Sequence, residues 1–74
     1  EVAIKKEVFD KVDIGMTQSE VKKLLGEPFE IRYTVDSFEV YFYRVRHGRG
    51  DSRTASVEFD KKGYVRFLSA GLAF

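Results

Sequence analysis

The chain has 74 residues, 43% of them hydrophobic, 15% aromatic and 34% charged, which suits one small folded core and excludes both a disordered segment and a second domain. Thirteen basic against twelve acidic residues leave a net charge of +1, too weak a field to argue for nucleic acid or a membrane surface. Cysteine is absent, so disulfides, thiolate metal sites and cysteine nucleophiles are excluded. No apolar run approaches the roughly 20 residues of a spanning helix. The polar residues 1–7 are unlike a signal peptide, and an opening on Glu1 rather than Met fits a leader removed upstream.

Residues 2–12 place Ile4, Val8 and Val12 at helical spacing, with Phe9 widening the stripe, and predict a first helix. Gly15 closes that segment. Thr17 then stands where it can cap free N–H groups, Glu20 can reach back to complete a capping box, and Met16 with Val21 fits a hydrophobic staple. Val21, Leu24 and Leu25 form the apolar side and Lys22 and Lys23 the polar one. Gly26 and Pro28 stop a second helix predicted over residues 18–25.

Beyond Pro28 the period changes to two. Phe29, Ile31, Tyr33 and Val35 alternate with polar residues, a pattern for an edge strand over residues 29–35. A second strand over residues 38–45 is partly apolar on both faces. Residues 46–53 contain two glycines and no apolar side chain, which predicts a solvated hairpin loop. Residues 54–60 set Ala55, Val57 and Phe59 against Ser56 and Glu58. A turn follows at Asp60-Lys61-Lys62-Gly63, and a last strand runs from Tyr64 to about Ala70. The expected fold class is α+β in one domain, 1–74. Two N-terminal helices pack on one face of an antiparallel meander of three strands, or four if residues 29–35 pair.

Phe9-Asp-Lys-Val12-Asp-Ile14-Gly15-Met16-Thr17, then Val21, then Leu25-Gly26-Glu27-Pro28 resemble the signature of the SmpA/OmlA (BamE-like) family. The aromatic strand with Tyr41 and Tyr43, and Phe59-Asp60 before the Gly63 turn, also follow that pattern. The resemblance implies a non-catalytic accessory subunit of the machinery that inserts β-barrel proteins into the outer membrane. It further implies a place on the periplasmic side, a protein partner from that machinery, and tethering by a lipid on an N-terminal cysteine. This chain contains no such cysteine, and the strand-like residues 29–35 also depart from the pattern. Similar domains resemble the repeats of β-lactamase inhibitory proteins, so an inhibitor-like domain blocking an envelope enzyme is the alternative.

No side chains are spaced for catalysis, a metal or another cofactor. His47, the single histidine, sits in a polar loop with nothing to orient it, and the carboxylates are scattered among Lys and Arg. Arg49-Gly50-Asp51 spells an adhesion tripeptide, but three common residues coincide often by chance. Two surfaces are the candidates for binding. Arg44, Arg46, Arg49 and Arg53 face a single Asp51 around the loop, four positive charges against one negative, and their guanidinium forks suit an anion or a partner's carboxylates. If Phe38, Val40 and Phe42 face the helices, then Tyr41, Tyr43, Tyr64 and Arg66 point outward as a protein-binding cluster of the residue types that dominate interfaces. The apolar tail, residues 68–74, is a further candidate contact.

Overall fold

Ile4 and Lys5 enter a sheet rather than a helix. In the computed structural model, which describes residues 3–69, strand β1 (Ile4–Lys5) pairs in parallel with strand β3 (Glu39–Arg46), Ile4 beside Val45 and Lys5 beside Arg46. Helix α1 is a single turn, Lys6–Phe9. The predicted helix over residues 2–12 is corrected accordingly. A helix of that length is marginal without tertiary support, and here the sheet edge captures its start while tight turns finish its end. The Lys11 N–H donates to the Val8 carbonyl and the Val12 N–H to the Phe9 carbonyl, both at 3.1 Å. Phe9 and Val12 are buried all the same, so the apolar stripe serves packing without a continuous helix.

Helix α2 (Gln18–Leu25) has the predicted limits. Its capping box is complete: the Glu20 N–H donates to Thr17 Oγ1 at 3.1 Å, and the Thr17 N–H donates to Glu20 Oε1 at 2.9 Å. Gly26 ends the helix at φ 84°, a left-handed value that favours glycine, and its N–H donates to the Lys22 carbonyl at 2.8 Å. Thr17→Ala is expected to cost about 1 kcal/mol of stability, read as a lower urea midpoint with unchanged slope.

Strand β2 (Glu30–Tyr33) pairs antiparallel with β3, which pairs antiparallel with β4 (Ser52–Phe59), which in turn pairs antiparallel with β5 (Val65–Ser69). Among the described residues the sheet therefore has five strands and is mixed, not a purely antiparallel meander of three or four. β1 and β2 share one edge of β3, β2 along residues 39–42 and β1 along residues 45–46. Residues 29–35 do contain a paired strand. The hairpin loop is shorter than predicted, because Arg46 and Ser52 already pair and only residues 47–51 are left to turn. At the next turn Asp60 Oδ1 accepts from the Tyr64 and Lys62 N–H groups, each at 2.9 Å, and these bonds, that of Tyr64 foremost, hold its carboxyl below the usual range. Gly63 supplies φ 91°.

Residues facing each other across a ladder share a sheet face. Tyr41 lies opposite Val57 and Tyr43 opposite Ala55, with Val45, Phe59 and Val65 on the same side. These residues form one core with Phe9, Val12, Val21 and Leu25, and Ile4, Val8, Met16, Leu24 and Leu68 pack around it. The part of the predicted apolar tail beyond Ser69 lies outside the described residues.

Candidate binding face

Two of the four residues predicted as an exposed cluster are in the core. Tyr41 is 3% and Tyr43 2% exposed. The Tyr41 ring meets Phe59 edge-on at 4.7 Å between centroids and Tyr43 at 6.4 Å. The Tyr43 hydroxyl donates to the Gly26 carbonyl at 3.0 Å, tying the sheet to the end of α2. Burial pushes both phenols above their ordinary pKa; for Tyr41 the Lys22 ammonium, 5.5 Å from its ring centroid, opposes the effect. The expected orientation of β3 is thus reversed. The loop parity explains it: with Arg46 opposite Ser52, odd residues pair with odd and even with even. The apolar residues of β4 are odd, so Tyr41 and Tyr43 follow them inward, and a one-residue slip would invert every side chain.

The helix-free face is consequently built from the even residues of β3. Phe38, before the strand, and Phe42 are half-buried, and Val40 is nearly covered. Val40 pairs with Glu58 and Phe42 with Ser56, while Phe67 of β5 pairs with Glu58 and is 58% exposed. A bulge between Glu58 and Phe59 inserts Arg66 beside Phe67. Arg66 lies 4.0 Å from the Phe38 ring centroid and donates to Glu58 at 2.7 Å, so its guanidinium is both stacked and paired. Lys61 approaches the same ring at 5.8 Å. Of the predicted cluster, Arg66 and Tyr64 are exposed. Tyr64 belongs to a bridge with Thr17 that joins β5 to the start of α2. Phe38, Phe42 and Phe67 are what the sequence reading missed, and the odd-with-odd pairing across the loop was the signal that could have found them.

The four arginines around the loop do not converge. Arg44 and Arg46 pair with Thr54 and Ser52 on the helix-free face, whereas Arg53 pairs with Val45 on the other. Arg53 lies 4.0 Å from Asp51, Arg44 lies 5.6 Å from the Phe29 ring centroid, and Arg49 sits on the exposed turn. His47 Nε2 is buried and has no hydrogen-bond partner among the described residues. Next to it, a shallow groove of about 450 Å³ is lined by Lys5, Lys6, Glu7, Asp10, Arg46 and Gly48. Its charges are mixed, and Lys6 is already paired with Asp10 at 2.9 Å. Among the described residues no group of His, Asp and Glu could hold a metal ion, and no helix is long and apolar enough to cross a membrane.

Among the described residues, two short helices lie over one face of a small mixed sheet, with an aromatic and arginine-bearing face opposite. They define a class of α+β domain in which a short parallel edge strand precedes the helices and the hairpins follow them. Within that class the chain belongs to the family of the outer membrane protein assembly factor BamE domain, whose model matches residues 2–69. The family's role is an accessory one in outer-membrane assembly. Neither the curated proteins nor the solved structures contain a match.

Proposed function

We propose that the chain is a non-catalytic accessory module that holds a protein of the outer-membrane assembly machinery on the helix-free face of its sheet, on the periplasmic side. The observation that carries this reading is the composition of that face. Phe38, Val40, Phe42 and Phe67 form an apolar centre and Arg66, Glu58, Arg44 and Arg46 a charged border, the distribution found in interfaces whose dry middle is sealed by a polar rim. The family membership supports the choice of partner. A lipid attached upstream would keep the face near the membrane.

Phe67 is the residue to test, since it is the most exposed aromatic of the patch and its removal leaves the core intact. Phe67→Glu is expected to weaken capture of the assembly partner at least about tenfold, with circular dichroism and the urea midpoint nearly unchanged. Equal capture by wild type and variant would remove this face from the account. Truncating Tyr41 or Tyr43 to a small residue cannot serve the same purpose, because losing either buried ring strips the core.

A further inference from the structure

The outer edge of β2 is open, apolar and self-complementary. Among the described residues no strand pairs with it. The Thr34 N–H donates to the Phe38 carbonyl at 2.9 Å, marking those two residues as a hydrogen-bonded pair. In an antiparallel ladder such pairs alternate, so Arg32 with Val40 and Glu30 with Phe42 are bonded likewise, and Ile31 and Tyr33 turn their N–H and C=O groups away from β3. The side chains there are exposed as well, Ile31 at 44%, Tyr33 at 66% and Val35 at 100%. Folded proteins normally blunt such an edge with charge, proline or a cover. Here the only charges in the strand are Glu30 and Arg32, which pair with each other.

We infer that a second copy of this chain covers this edge, through antiparallel β2–β2 pairing about a two-fold axis at Ile31. In that register Ile31 exchanges both backbone hydrogen bonds with Ile31 of the second copy, and Tyr33 comes level with the second copy's Phe29. Glu30 lies opposite the second copy's Arg32, and Arg32 opposite its Glu30, so opposite charges meet directly across the new ladder twice. The neighbouring register, centred on Arg32, sets Ile31 opposite the second copy's Tyr33 and so pairs every outward backbone group. The Ile31 register does not, since Phe29 already gives its N–H to the Phe42 carbonyl at 3.0 Å. The Arg32 register, however, sets the two Arg32 side chains against each other at the centre of the contact. Charge therefore selects the Ile31 axis. The contact is isologous and closes on itself, as a two-fold interface must. It leaves the helix-free face clear and is independent of the function proposed for that face.

The test uses sedimentation of the full chain over a range of concentrations. Wild type is expected to dimerise reversibly. Glu30→Arg alone and Arg32→Glu alone each turn two attractive contacts into repulsive ones and are expected to weaken the dimer about tenfold. An equimolar mixture of the two single variants is expected to form a heterodimer, because the all-arginine edge of one meets the all-glutamate edge of the other. The double variant, with both positions exchanged, should again dimerise with itself yet fail to pair with wild type, and this arm stands even if a single variant does not fold. A wild type that stays monomeric throughout, dimers indifferent to Glu30→Arg, or free mixing of the double variant with wild type would each overturn the inference.

Discussion

Phe59→Ala is expected to destabilise the fold by about 3–5 kcal/mol, the usual cost of deleting a buried phenyl ring together with the cavity it leaves. The ring is fully buried and packs edge-on against Tyr41, and it sits where β4 meets the bulge that sends Arg66 to the opposite face. A 74-residue domain has roughly 4–11 kcal/mol of stability to lose. The substitution is therefore expected to unfold a large fraction of the protein at moderate urea and to expose the remaining core. Phe67→Ala, the same chemical change on the exposed face, is expected to stay within about 0.5 kcal/mol. Urea titrations followed by circular dichroism separate the two. Comparable losses at both positions would mean that the faces of β4 and β5 have been assigned the wrong way round.

The contrast between those phenylalanines shows where sequence reading succeeds and where it stops. The limits of α2 were legible because Thr17, Glu20 and Gly26 act on backbone groups a few residues away, and such local chemistry survives without knowledge of the fold. The faces of β4 were legible too, since Ala55, Val57 and Phe59 alternate with polar residues. β3 is different. Phe38, Val40 and Phe42 compete with Tyr41, Tyr43 and Val45 for the core, and hydrophobicity alone does not rank the two sets. Two tertiary facts decide it, the odd-numbered loop that pairs Tyr43 with Ala55 and the bond from the Tyr43 hydroxyl to Gly26. β1 was hidden for a related reason. Two residues carry no period, and Ile4 becomes a strand residue only beside Val45. The loop arginines looked like one cluster because they are close in sequence, but strands send alternate side chains to opposite faces. The candidate site was thus recognisable as an aromatic and arginine-rich sheet surface, and misassigned by one position in β3.

The bond that helps decide the orientation of β3 also gives the fold a sensitivity to alkali. Burial raises the Tyr43 phenol well above the ordinary value of 10.0, with the neighbouring Tyr41 and Glu27 adding to the effect, so the folded state keeps this proton at pH values where the unfolded chain releases it. A group whose folded pKa is raised contributes stability that is fully present below the unfolded pKa and is lost as pH climbs above it. For Tyr43 the loss begins near pH 10 and continues at about 1.4 kcal/mol per pH unit, the linkage slope for one proton. Tyr43→Phe removes the titrating group together with the hydrogen bond to Gly26. At pH 7 the variant is expected to be about 1 kcal/mol less stable than wild type. As pH passes about 11 the difference should vanish and then reverse, because only wild type is drained by ionisation at this site. All other side chains are the same in both proteins, so the comparison isolates the Tyr43 phenol together with its coupling to Tyr41. Urea midpoints of the two proteins measured from pH 8 to about pH 11.5 are expected to cross, and parallel curves would show that Tyr43 is not the buried phenol this orientation of β3 requires.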